Sequence, residues 1–172
     1  PAMAVKPRQS VPALDLPLTG GGRYKLGAVP PERFTLLVIY RGLHCPVCSR
    51  YMAAFHGMLD DFAERGVEVV AVSADPEDRA IKAKQDWGLA NMKVAYGFGI
   101  DAARAWGLYI SQAIKDTEPA TFTEPGLFLI TSDGKLQMAV LNSMPHLRPA
   151  PEEVLKTVDF IIDRTYLARG EA

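Results

Sequence analysis

The 172-residue chain predicts an α/β fold, with a mixed central sheet covered by helices on both faces. Three observations lead there. Apolar β-rich runs alternate with helical patterns through the first two thirds of the chain, which implies a parallel core. Asp133-Gly134 sits between Leu127–Thr131 and Leu136–Leu141, a strong hairpin signal that adds an antiparallel edge. Helix starts and stops (Asp75-Pro76, Gly66, Gly88, Gly107) fall between the runs.

Taken in order, residues 4–33 are rich in Pro and Gly and read as a short hairpin extension, Val11–Leu16 and Arg23–Leu26 about a Thr19–Gly22 turn. Phe34–Tyr40 is a buried strand. After a loop, Arg41–His44, residues 49–62 form one helix whose buried stripe is Tyr51, Met52, Phe55, Met58, Leu59 and Phe62. Val67–Val72 is a second core strand. Asp75 caps a helix that begins at Pro76 and runs to Trp87. Lys93–Tyr96 is a short strand, and Asp101 caps a short helix ending at Trp106-Gly107. The Trp-Gly-Leu repeated at 87–89 and 106–108 is read as two helix ends. The late hairpin follows, then a Pro-rich loop, 143–151, and an amphipathic helix from Glu152 to Leu167 with Val154, Leu155, Val158, Ile161 and Ile162 on one face.

Composition narrows the function classes. A hydrophobic content of 48% suits a globular core, and a net charge of -1 gives no basis for nucleic-acid or anionic-membrane binding. No apolar stretch approaches the about 20 residues of a membrane span. No targeting signal opens the chain, so a reducing cytoplasm is the expected setting. Residues 1–3 are set aside as a non-native or processed start, and 4–170 are expected to form a single domain.

The chemistry lies in Cys45-Pro46-Val47-Cys48, which holds both cysteines of the chain. Two cysteines are too few for a disulfide scaffold, and a close pair in a reducing setting is suited to cycling. The pair stands where a strand hands over to a helix N-terminus, where free N–H groups and the helix dipole favour a thiolate. Cys45 is the expected nucleophile. Cys48, on the same helix side, is the resolving thiol. Pro46 fits the first turn because no N–H is needed there. An imidazolium at His44 or a guanidinium at Arg41 would stabilise the thiolate; a loop histidine and a surface arginine without a role are the alternatives. A zinc half-site is a further alternative, with His44, His56 and His146 as the only histidines to complete it; an inert buried pair is another. No cofactor and no metal are expected.

The chain resembles the thioredoxin superfamily, and more closely the peroxiredoxin-like proteins of the alkyl hydroperoxide reductase/thiol-specific antioxidant group, the redoxins. The residues that carry this are Val38–Cys48, Val69–Asp75, Pro125–Ile130 with Asp133–Lys135, and Tyr166–Gly170. The resemblance implies a thioredoxin-like fold with an N-terminal hairpin extension and an inserted helix–strand unit. It implies a cis peptide before Pro125 beside the cysteines, and a Glu124 backbone that offers β-type hydrogen bonds to a substrate chain. Two departures stand out. Gly42 occupies the position where peroxiredoxins carry a threonine, with no proline at the right distance before Cys45. Pro125 stands about where they carry an arginine. The primary expectation is therefore thiol–disulfide exchange through Cys45 and Cys48. Hydroperoxide reduction and a non-enzymatic redox-sensing domain are the alternatives. Expected partners are a disulfide-containing protein or a small thiol or peroxide, an unidentified thiol reductant, and a second copy of the chain, since redoxins often dimerise.

Overall fold

In the computed structural model, which describes residues 4–172, six-residue strand β3 (Phe34–Ile39) is buried along its whole length. It lies at the centre of a five-stranded sheet ordered β5-β4-β3-β8-β9. Strands β4 (Val67–Val72) and β5 (Lys93–Ala95) run parallel to it. Strand β8 (Gly126–Thr131) runs antiparallel to β3, and β9 (Leu136–Leu141) antiparallel to β8, the two joined by the predicted Asp133-Gly134 turn. A strand with both faces covered favours apolar residues at successive positions rather than at alternate ones, and Phe34-Thr-Leu-Leu-Val-Ile39 supplies them everywhere but at Thr35.

The two faces are packed by different elements. One carries α1 (Pro46–His56), α2 (Leu59–Glu64) and α5 (Pro151–Arg164), whose Met52, Phe55, Phe62, Val154 and Val158 meet Leu36, Val38, Val69 and Leu129. The end of α3 (Glu77–Asp86) joins it through Trp87, edge-on to Tyr40 at 5.5 Å. The other face carries α4 (Ile100–Ala105) and the N-terminal ribbon of β1 (Asp15–Pro17) and β2 (Arg23–Lys25). Trp106 packs edge-on against Phe128 there, with ring centres 5.0 Å apart. Full burial of each such side chain contributes roughly 1.5–3 kcal/mol.

Four expectations change. The helix starts at Pro46, as the cysteine motif implied, but the single run expected as far as Phe62 is broken. Gly57 and Met58 tighten the turn, with the Met58 N–H donating to the Phe55 carbonyl, and α2 restarts at a new angle that brings Phe62 to 5.8 Å from Phe55. Asp75 does not cap α3: Pro76 is the N-cap and makes no side-chain bond, because the Asp75 carboxylate is engaged elsewhere. The cap of α4 is Gly99, two residues before Asp101. Helix α5 ends at Arg164, with Thr165 in the left-handed region at φ 46°, three residues short of the expected Leu167. The structure also adds a ribbon the sequence reading left unassigned, β6 (Ile110–Gln112) paired with β7 (Thr121–Thr123). The expectation for residues 1–3 lies outside the described residues.

Candidate active site

Strand β3 delivers the chain to Arg41 at the C-terminal end of the sheet, where four loop residues turn it into α1. Gly42 makes that turn at φ 137°, a conformation open to glycine. A Cβ placed on Gly42 would lie 2.8 Å from an Asp75 carboxylate oxygen. The space where a threonine side chain would begin is thus filled by Asp75. Its Oδ2 accepts the Leu43 N–H at 2.8 Å, and Arg79 Nε donates to its Oδ1 at 3.4 Å. This carboxylate fixes the loop instead of capping its own helix.

Cys45 is the N-cap of α1, with extended backbone angles (φ -107°, ψ 102°) and Pro46 at the first helical position. Its sulfur takes the place of the usual cap oxygen, accepting the Cys48 N–H at 3.2 Å. The Cys48 thiol also donates to it, and so does the Arg41 guanidinium. Cys45 is lowered to about 6. The Cys48 hydrogen bond is the largest cause, burial opposes it, and the Cys48 N–H and Arg41 add to it. Cys48 moves the opposite way, raised by burial first and then by the neighbouring Cys45. The pair near neutral pH is a thiolate holding the proton of its neighbour. Cys45 is 1% exposed and Cys48 is wholly buried.

The ribbon β6–β7 builds the opposite wall. Arg41 Nε donates to Glu124 Oε1 at 2.9 Å, and its guanidinium lies 3.6 Å from Glu118 Oε2 and 4.9 Å from the Phe122 ring centre. Ser111 Oγ donates to Glu124 Oε2 at 2.6 Å. The carboxylates are nearly inaccessible, with side chains 5% and 6% exposed for Glu124 and Glu118, so the clamp on Arg41 is poorly screened. From the other side, the loop before α5 brings Arg148 Nη2 to 3.4 Å from Cys48 Sγ.

Arg41, Pro46, Cys45 and Cys48 thus come together. His44 and Pro125 do not behave as expected. Burial, then the Arg41 charge, lowers the His44 pKa, and neither ring nitrogen has a hydrogen-bond partner. The ring packs edge-on against Phe122 at 4.7 Å as a neutral group rather than an imidazolium. No cis peptide occurs among the described residues, Pro125 included. The extended line from β7 into β8 is pinned on both sides of that bond, with the Glu124 N–H donating to Tyr109 O and Pro125 O accepting from Asn142 N. Of the Glu124 backbone expected to meet a substrate chain, the N–H is therefore used inside the ribbon. It is the Glu124 carboxylate that reaches the site, through Arg41. Glu118, Ser111, Phe122 and Arg148 carried no sequence signal, since each is an ordinary polar or aromatic residue far from Cys45 in the chain, and the signal at Asp75 pointed to a helix cap instead of the site.

Among the described residues, no three His, Cys, Asp or Glu side chains form a metal-holding group, and no helix is long and apolar enough to cross a membrane. A cleft of about 590 Å³ lined by Arg8, Phe34, Leu136, Ile161 and Tyr166 lies at the far end of β3, away from both cysteines.

Residues 7–139 match the family profile described as AhpC/TSA family. No curated protein matches the chain. Solved structures share its fold. Peroxidoxin BcpB from Mycobacterium tuberculosis superposes with a TM-score of 0.74 at 19% identity, over 91% of this chain and 98% of that one. The reduced 2-Cys peroxiredoxin of Plasmodium vivax gives 0.76 at 18% identity, over 95% and 84%. A peroxiredoxin-like protein from Aquifex aeolicus gives 0.73 at 19% identity, over 94% and 89%.

Proposed function

The chain belongs to the AhpC/TSA family, and on the geometry of its cysteine pair we propose that it is a thiol peroxidase for small hydroperoxides, with Cys45 peroxidatic and Cys48 resolving. Family membership makes it a thiol-dependent oxidoreductase; the choice of oxidant is the finer reading. The observation that carries it is the Cys45 sulfur, held as a buried thiolate by the Cys48 N–H at 3.2 Å and by Arg41, and 1% exposed. A small hydroperoxide needs far less room to reach such a sulfur than a protein does. A folded protein presenting a disulfide needs an open groove, and the trans Pro125 and the engaged Glu124 N–H speak against one.

In the first step the Cys45 thiolate attacks the distal oxygen of ROOH. The O–O bond breaks, Cys45 becomes a sulfenic acid, and the leaving RO⁻ takes a proton from solvent to give ROH. Arg41 and the Cys48 N–H are the donors available to the charge that develops on oxygen. In the second step Cys48 attacks the Cys45 sulfur. The S–O bond breaks, and hydroxide leaves with the Cys48 proton as water. A thiol reductant then returns the disulfide to the dithiol by exchange. The same pair supports a second reading, thiol–disulfide exchange with small disulfides as the primary reaction, since Cys48 already hydrogen-bonds the sulfur it would attack.

Stopped-flow mixing of the reduced protein with hydrogen peroxide tests the choice. The expected result is oxidation far faster than that of a free thiolate, lost in Cys45→Ser, with one peroxide consumed per disulfide formed. A rate no better than a free thiolate's, beside rapid exchange with a small disulfide, would select the second reading.

A further inference from the structure

Each cysteine of the pair has its own arginine, and only the one on Cys45 enters the chemistry above. Arg148 comes from the Pro-rich loop before α5, lies against α1 at two points and is tied to its own loop at a third. Its Nη2 donates to Cys48 Sγ at 3.4 Å, its guanidinium carbon lies 4.5 Å over the Tyr51 ring centre, and its Nε donates to Pro145 O at 2.5 Å. Tyr51 fixes the same loop again, donating from its hydroxyl to Pro149 O at 2.6 Å. The remaining nitrogen, Nη1, is inaccessible and has no hydrogen-bond partner. No carboxylate pairs with Arg148 among the described residues, whereas Arg41 is shared between Glu118 and Glu124. A cation oriented this firmly, with one donor on a thiol and one unused, is placed to stabilise a negative sulfur.

We propose that Arg148 is the positioning residue of the resolving step, holding and stabilising Cys48 as the thiolate that attacks an oxidised Cys45. In the reduced pair burial first, and then the negative Cys45 sulfur, keep the proton on Cys48. Once Cys45 is a sulfenic acid or a mixed disulfide, that charge is gone. Arg148 is then the cation in contact with Cys48 and favours its ionised form. The groups that face Cys48 are Cys45 at the start of its own helix, Arg148 from the loop, the Arg41 backbone N–H and Tyr40 from the end of β3. The reaction that removes the charge on Cys45 thus also prepares the second thiol, and the order of the two steps is built into the contacts.

The proposal rests on Cys48 as the resolving thiol, but not on hydroperoxide as the oxidant, so the test uses methyl methanethiosulfonate beside hydrogen peroxide. The thiosulfonate leaves Cys45 as a methyl disulfide and releases methanesulfinate. Attack by Cys48 then expels methanethiol and closes the Cys45–Cys48 disulfide, both steps being followed by intact mass in quenched flow. In Arg148→Met the second step is expected to slow about ten- to hundredfold, as for a hydrogen bond to a charged group. The first step should stay within about twofold of wild type, and Arg148→Lys should recover part of the loss. With peroxide the same variant should accumulate sulfenic acid trapped by dimedone. An unchanged second step in Arg148→Met, or equal slowing of both steps without recovery in Arg148→Lys, overturns the proposal. Failure of peroxide to react while the thiosulfonate arm behaves as expected overturns only the hydroperoxide reading.

Discussion

Replacing Arg41 by methionine isolates the strongest charge near Cys45. The substitution keeps an unbranched stem against Phe122 and removes the guanidinium that hydrogen-bonds the sulfur. A hydrogen bond to a charged group contributes about 1.5–3 kcal/mol, and a pKa unit corresponds to about 1.4, so Cys45 should rise by roughly one to two units. Starting from about 6, the midpoint moves to the range of an ordinary thiol or just below it. At pH 7 the thiolate fraction would fall from about nine tenths to between about one half and one tenth. Glu118 and Glu124 push the same way once Arg41 no longer neutralises them, so the upper part of the range is the better expectation. The assay is ultraviolet thiolate absorbance against pH, read in a Cys48→Ser background. The serine hydroxyl there retains a donor beside Cys45 while removing the second thiol. Alkylation at pH 7 is a weaker readout, because a less acidic thiol is also a better nucleophile and offsets part of the loss. A midpoint that stays near 6 in Arg41→Met would refute the assignment of Arg41 as a source of the depression and leave the helix N-terminus and Cys48 to account for it.

Gly42→Thr should destabilise the protein by more than about 2 kcal/mol in urea titration, since the residue must hold φ 137° with its Cβ 2.8 Å from Asp75 Oδ1; a variant as stable as wild type would mean that the loop relaxes freely. Phe55→Ala removes a fully buried ring that packs on Tyr51 and Phe62, and should cost about 3–5 kcal/mol by the same measurement. The Cys45 pKa is lower in the folded chain than its ordinary value of 9.0, so ionisation favours folding above about pH 9, and this contribution is lost as pH falls through about 6. The stability of wild type relative to Cys45→Ser, measured by urea titration under reducing conditions, should therefore grow as pH rises from 6 towards 9; a flat difference would show that no such depression exists.

The parts of this protein that were legible in its sequence are those encoded within about one helix turn or one hairpin. The unbroken apolar run at Phe34–Ile39 announced a strand covered on both faces, and Asp133-Gly134 announced the β8–β9 hairpin. Cys45-Pro46 announced a helix start with a sulfur at the cap. Asp75-Pro76 misled, because the same Asp-Pro that caps helices elsewhere here turns its carboxylate back to the Leu43 N–H, thirty-two residues away in the chain. The ribbon β6–β7 was invisible for a related reason. Its strands are three residues each, β6 at exposed or half-exposed positions and β7 with only Phe122 and Thr123 buried, too short a stretch to show an apolar pattern. Since that ribbon carries Glu124, Phe122 and Ser111, most of the wall around Arg41 was missed with it. Arg148 belongs to the same class, a loop residue whose partner is a hundred positions away.

The exchange of threonine for glycine at position 42 acquires a physical meaning from these contacts. In the peroxiredoxin pattern a hydroxyl stands beside the peroxidatic sulfur. Here the backbone at Gly42 excludes any side chain, and Asp75 occupies the space. The hydroxyl is therefore not missing through drift at one position, because restoring it requires moving a carboxylate that holds the loop. What remains close to Cys45 is the Cys48 N–H, the Cys48 thiol and Arg41. Two of these three belong to Cys48, so the residue proposed to resolve is also the principal stabiliser of the proposed nucleophile. Oxidation consumes that arrangement. In the proposed cycle Cys48, on attack, gives up the proton with which it held the Cys45 thiolate, and reduction of the disulfide restores it. A site built this way couples the acidity of its nucleophile to the redox state of its partner, with no need for the threonine that the wider family places there.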